Sequence, residues 1–378
     1  VRIARARFLD PNEIALMGFD SEPALATVIR RFEFPALSKA FNPAGWRSDC
    51  ALADKRRFFE CCREAGLPQP AMVATRIGGS LTVFESGARC ELIAKPVGGT
   101  GGHGIRLIKL GPDERYGAGL TDRLRRSLPG RGDWLVQERV RNHPSLAPRG
   151  MDALITVRIT TRVNEGGDPG IGAALLRYPI RPGVYVDNTS HGGLISAIDL
   201  TSGRLGAGIV GRSAGDLRIE HQQHPATGMQ ILDHVLPHWP AVRRLVLRSH
   251  GDAFGVYTMI GWDVAITTGG PLLIEGNGKP NIITNQRAAR RGAGADRTGT
   301  LIRYHLGRAR SGELAAWLER FVGSGSGRGG GPRFHDLTGD LERPLVVDVD
   351  AGFRERHYHE ADPHTKATGQ AFTHSVER

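Results

Sequence analysis

Apolar and polar positions divide the chain into many short strand-like runs with few helical stretches between them. In "ADKRRFFECCREAGLPQP", from Ala53, Phe58, Phe59 and Cys62 share one face at helical spacing. Asp54 is placed to cap that helix, and Gly66 with Pro68 to stop it. "CELIAKP" from Cys90 and "GIRLIKL" from Gly104 read as strands on either side of a glycine-rich stretch. "DWLVQERV" from Asp133 predicts another strand. "DALITVRITTRV" from Asp152 predicts a long one with period-two alternation, followed by "GIGAALLRYPI" from Gly170. A turn-rich region covers Pro182 to Gly228, a helix is predicted around Pro240 to His250, and "YTMIGWDVAITTGGPLLIEGN" reads as a hairpin around Gly269 and Gly270. Residues 1 to about 50 mix short apolar runs with Pro and Gly, as a partial or appended N-terminal element would. From Gly323, "GSGSGRGGG" has linker composition, so residues 323–378 are expected to form a poorly ordered or separately docked tail. This order predicts an α+β assembly rather than a regular βαβ alternation.

Composition narrows the picture only a little. With 378 residues, 40% hydrophobic and 24% charged, the chain is long enough for two or three packed lobes of an ordinary soluble protein. It has no run of 18 apolar residues, so no membrane span is expected. Its start, "VRIARARFLDPNEIALMG", carries no apolar core of a secretory signal, which predicts a cytoplasmic protein. Cys50, Cys61, Cys62 and Cys90 show no C-x-x-C spacing and read as buried small residues in a reducing compartment, with no zinc site. The histidine-rich stretch with His357, His359, Glu360 and His364 is read as a solvated tail rather than a metal site.

A formal charge of +11 raises the question of nucleic acid. Only six lysines occur, so 44 of the 50 basic residues are arginine, and they are scattered apart from a cluster between Arg287 and Arg310. That distribution argues against a nucleic-acid footprint. It also makes each lysine beside a glycine-rich or acidic motif worth attention.

Lys95 is one of these. It precedes "PVGGTGGHG", in which Gly99, Gly101 and Gly104 spell G-x-G-x-x-G. A dinucleotide fold needs such glycines to open a helix, and a P-loop needs Lys-Ser/Thr after its last glycine. Here a β-like run follows, so neither reading holds. What remains is a strand, a glycine turn and a return strand. Its backbone N–H groups can fold over phosphate oxygens while Lys95 supplies a point charge; the plainer alternative is a flexible hairpin turn.

The second constellation is acidic. A hairpin centred on Gly269 sets Asp263 opposite Glu275, roughly 5 Å apart at Cβ, with Asn277 on the same face. Two facing carboxylates repel, and with an amide oxygen they form the hard oxygen set that suits Mg²⁺ held together with phosphates. The plainer alternative is an exposed acidic pair. The apolar character of Trp262, Val264, Ile266, Leu273 and Ile274 weighs against it.

Together these stretches resemble the ATP-grasp superfamily, from about Asp54 to Asn281, and look closest to its sugar-transfer-associated subgroup. The likeness is carried in chain order by "DKRRFFECCREAGLPQP", "KPVGGTGGHG", "WLVQERVRNHP", "TVRITT", "YVDNTSHGG", "HPATG" from His224, "GWDVAI" and "LLIEGN". The resemblance implies two α+β lobes clasping ATP: a glycine-loop lobe over about 70–140 and a metal-binding lobe over about 141–322, within a catalytic region 54–322 that follows an N-terminal element 1–53. It implies that Lys55 faces the nucleotide and that Lys95 binds phosphate beneath a loop of Gly98, Gly99, Thr100, Gly101, Gly102, His103 and Gly104. Gln137, Glu138 and Val140 would line the adenine and ribose pocket. Asp263, Glu275 and Asn277 match the magnesium-binding set, which Mn²⁺ would also suit. Arg158 and Arg177 would stand near the γ-phosphate, and Asn188 and His191 on the acceptor side. The implied activity is an ATP- and Mg²⁺-dependent ligase joining a small-molecule carboxylate to an amine or thiol through an acyl phosphate, with release of ADP and phosphate, in glycan or exopolysaccharide synthesis. The alternatives are a kinase-like transfer to a hydroxyl and a nucleotide-binding protein without turnover. The stretch ahead of Asp54 is short for the full pre-ATP domain of many such ligases, which leaves the acceptor unidentified; oligomeric state is not readable either.

Overall fold

The computed structural model describes residues 25–84, 90–98, 102–146, 152–179, 193–210 and 219–323. Gly99, Thr100, Gly101, Asn188, His191 and the tail beyond Gly323 therefore lie outside the described residues.

The first lobe is a five-stranded antiparallel sheet. Its strands are β1 (Met72–Ile77), β2 (Ser80–Val83), β3 (Glu91–Pro96), β4 (Arg106–Lys109) and β5 (Trp134–Glu138), in the order β2-β1-β5-β3-β4. Alternation does the positioning. Leu92 and Ala94 of β3 and Trp134 and Val136 of β5 are buried with Leu120 and Leu124 of the helix Gly117–Ser127. Ile93, Lys95, Leu135 and Gln137, on the opposite face, line the cleft.

The second lobe is a six-stranded antiparallel sheet of β6 (Thr156–Val163), β7 (Pro169–Tyr178), β8 (Leu194–Ala197), β9 (Ile209–Val210), β10 (Met259–Thr267) and β11 (Gly270–Asn277), ordered β11-β10-β6-β7-β8-β9. One face carries Val157, Ile159, Leu176, Trp262 and Val264, which pack on the helix Trp239–Asp252 through Val242 and Val246. The helix Lys55–Glu64 adds Phe58 and Cys62 to the same core; Asp54 caps it as expected, accepting from the N–H groups of Arg56 and Arg57 at 2.8 and 3.1 Å.

The alternation expected in β6 is not observed. Every residue of the strand except Arg158 is buried, because β6 is central and the other face is covered too. That cover comes from the helices Ile283–Ala289 and Arg297–Arg310, which the hydrophobic pattern did not reveal, and from the helix Phe34–Phe41. Residues 34–46 are integrated with this lobe: Asn42 donates to the carbonyls of Met259 and Gly278 at 2.8 Å each. All four cysteines are free; Cys50 and Cys62 are buried as expected, whereas Cys61 is half-buried and Cys90 exposed. No helix among the described residues is long and apolar enough to cross a membrane.

Candidate nucleotide and metal site

The β10–β11 hairpin brings Asp263 opposite Glu275, as the sequence predicts, although not by the expected symmetry, and sets Gly261 opposite Asn277. The tight turn is Thr268–Gly269, with Thr267 paired to Gly270. That register would set Asp263 against Ile274. A bulge at Ile274 adds one residue to β11 and restores the Asp263–Glu275 pair.

A cleft of about 240 Å³ separates the two sheets. Its lining includes Lys55, Lys95, Gly102, His103, Gln137, Glu138, Val140, Arg158, Arg177, Asp263, Glu275 and Asn277, so these expected site residues converge. Gly98 and Gly104 do not line it. Gly102 and Gly104 both hold φ of +77°, a turn that glycine makes without strain.

Arg158 is the cross-strand neighbour of Asp263 and binds its carboxylate with two bonds, Nε to Oδ1 at 2.5 Å and Nη2 to Oδ2 at 3.0 Å. Arg177 adds Nη2 to Oδ2 at 3.1 Å and also donates to Thr156 Oγ1, its cross-strand partner on β6. Burial alone would raise the Asp263 carboxyl, but the two guanidinium groups outweigh it and hold its pKa below the usual range. Glu275 moves the other way: burial and then the Asp263 charge push its pKa up. Burial lowers Lys95 to about 8, helped by Lys55 and opposed by Glu275 and Asp263.

Among the described residues no three His, Cys, Asp or Glu side chains gather into a metal-binding group. Asp263 and Glu275 with the Asn277 amide are a smaller set. Its two carboxylates and amide oxygen are the hard donors that fit a Mg²⁺ keeping further ligands from phosphate or water.

Several site residues were not anticipated. Phe59, Ile93, Leu135 and Ile274 give the cleft apolar walls. Two of them could have been found, because Ile93 and Leu135 sit two residues before Lys95 and Gln137 on alternating strands. Thr156, the anchor of Arg177, follows from the β6–β7 register, which contains its own bulge and is not readable locally. Just past the end of β5, Arg139 pairs with Glu91 at 3.0 Å and so ties this end of β5 to β3 as the chain leaves the first lobe.

No curated protein matches the chain. Among solved structures it is similar to D-alanine–D-alanine ligase from Bacillus anthracis complexed with ATP, at 15% identity and a TM-score of 0.39, covering 70% of this chain and 69% of that one. Biotin carboxylase from Campylobacter jejuni overlays at 12% identity and 0.39, covering 68% of this chain and 46% of that one. The ATP-grasp ligase PsnB overlays at 15% and 0.34, with coverage of 68% and 59%. The chain thus spans about half to two thirds of the length of these structures. The profile of the sugar-transfer-associated ATP-grasp family matches residues 41–298, which take in both sheets and the whole cleft, and the chain belongs to that family.

Proposed function

We propose that the protein is an ATP-dependent ligase that activates a small-molecule carboxylate as an acyl phosphate and transfers the acyl group to an amine or thiol. The observation that carries this reading is the Asp263–Glu275 pair with Asn277, facing Lys95 across a cleft that also holds Arg158 and Arg177. Lys55 and Lys95 neutralise the phosphates, while Gln137, Glu138 and Val140 hold the base and ribose at the hinge. Asp263, Glu275 and Asn277 would hold Mg²⁺, or Mn²⁺, which supplies charge neutralisation on the phosphate oxygens. Arg158 and Arg177 stabilise charge on the γ-phosphoryl group as the substrate carboxylate attacks it. ADP leaves, the amine attacks the acyl carbon, and phosphate departs. The glycine turn and the apolar walls keep water from the acyl phosphate. No side chain has to become a covalent nucleophile. A place in glycan or exopolysaccharide assembly is part of the same proposal and rests on the family.

The test is an ADP-release screen across amino acids, amino sugars and uronic acids with Mg²⁺ present. Carboxylate-dependent ADP release with hydroxamate formed in hydroxylamine is the expected outcome. A stable phosphoester instead would identify a kinase. Lys95→Met should weaken ATP binding about tenfold or more. Equal, metal-independent ATP affinity in wild type and this variant would remove the nucleotide site from consideration.

A further inference from the structure

Asp263 does not stand free to receive a cation. Both of its oxygens are taken by Arg158, and Oδ2 is shared with Arg177. All three side chains are largely buried, with relative exposures of 17%, 13% and 10% for Arg158, Arg177 and Asp263. A cation bound to this carboxylate would sit within a few ångströms of two guanidinium groups, whose charges oppose its binding. Pulling a buried pair apart is unfavourable while either charge lacks a partner. The pair therefore opens only when both sides are re-partnered together.

We propose that Asp263 is an exchange point. Its arginines hold the carboxylate until a terminal phosphate draws them off, so a cation reaches Asp263 only with a nucleoside triphosphate in place. This rests on the nucleotide reading of the cleft. Arg158 and Arg177 match phosphate geometry better than any other side chain, so the γ-phosphate supplies their new partner while the cation supplies one for Asp263. A diphosphate brings the cation but ends one phosphate short, leaving the arginines on Asp263. The same exchange runs backwards after turnover. Once the γ-phosphoryl group has left, the arginines return and weaken the hold on metal and ADP.

The experiment is a calorimetric titration of Mn²⁺ into the full chain saturated with ADP or with the β,γ-imido analogue of ATP, each corrected for Mn²⁺ affinity of the free nucleotide. Wild type is expected to bind Mn²⁺ about tenfold tighter in the triphosphate complex than in the ADP complex after that correction. Arg158→Met should tighten Mn²⁺ binding to the ADP complex about tenfold and close the gap, because the competing guanidinium is gone. Arg177→Met, which disrupts a single bond to Asp263, should act in the same direction by less, and carries the test should Arg158→Met not fold. Lys95→Met removes the same charge from the cleft without touching Asp263 and should leave the gap in place. Unchanged Mn²⁺ affinity in both arginine variants, or an equal gain in Lys95→Met, overturns the exchange. If Asp263→Asn leaves Mn²⁺ affinity unaltered in every complex, the metal reading of the cleft fails instead.

Discussion

His250 shows how tightly the strand beneath the carboxylates is specified. Trp262 Nε1 donates to Thr161 Oγ1 at 2.7 Å, so the Thr161 hydroxyl proton goes to His250 Nδ1 at 2.7 Å, and Nε2–H donates to the Tyr257 carbonyl at 2.8 Å. The neutral ring with its proton on Nε2 satisfies every polar atom in this buried chain. Burial pushes its pKa down to about 4 against an ordinary 6.5. The unfolded chain takes up a proton below pH 6.5, whereas the folded one resists until about pH 4. The ring's contribution is therefore complete above pH 6.5 and lost as pH falls from 6.5 to 4, by up to about 3 kcal/mol. Urea unfolding at pH 7.5 and 4.5 should show that loss in wild type. In His250→Gln the slope should be shallower, and stability at pH 7.5 lower by about 1–3 kcal/mol because Thr161 loses its acceptor. Parallel pH curves for the two proteins would contradict this account.

Among the elements, the glycines near Asn277 set how closely the N-terminal segment approaches the hairpin. A Cβ built on Gly45 would lie 2.2 Å from the carbonyl oxygen of Gly278, a backbone atom with no room to move. Gly45→Ala must separate residues 43–46 from the end of β11 and strain the Asn42 bonds to Met259 and Gly278. We expect a loss of about 1–3 kcal/mol in thermal or urea unfolding, with weaker nucleotide binding as Asn277 shifts. An unchanged melting temperature would contradict a close backbone approach at Gly45. The hairpin itself could be read from the sequence because its two strands are separated by a two-residue turn. Even so, the predicted symmetry centre was half a residue off, and only the Ile274 bulge made the pairing come out right. The Arg158–Asp263 pair could not be read, since it depends on the register between β6 and β10, about a hundred residues apart. The helix Ile283–Ala289 escaped for a different reason. It has seven residues and no side-chain cap, and it is held by tertiary bonds such as the Gln286 amide to Ile29.

At the scale of the whole molecule, the two sheets have separate cores. Val73, Leu92, Leu120, Leu124 and Val136 form one; Val157, Ile159, Leu176, Val242 and Trp262 belong to another, and the two clusters share no residue. Backbone bonds tie the second sheet to the segments flanking the first: Leu273 N–H to the Pro68 carbonyl at 2.9 Å, ahead of β1, and His143 N–H to the Ile266 carbonyl at 2.7 Å, after β5. Two cores that share no residue can open separately. The cleft residues come from both sides of it, with Lys95 and Gln137 on the first sheet and Asp263 and Glu275 on the second. A ligand held by both sheets therefore couples two units that are otherwise weakly linked. Scanning calorimetry should resolve two transitions in the nucleotide-free protein. With Mg²⁺ and the β,γ-imido analogue of ATP they should move upward and merge, with a stabilisation of about 2.7 kcal/mol at a hundredfold excess over Kd. Lys95→Met should keep the two transitions apart at the same ligand concentration, since it removes the contact proposed between the first sheet and the phosphates. A single transition without nucleotide would mean that the backbone junction alone binds the lobes into one cooperative unit.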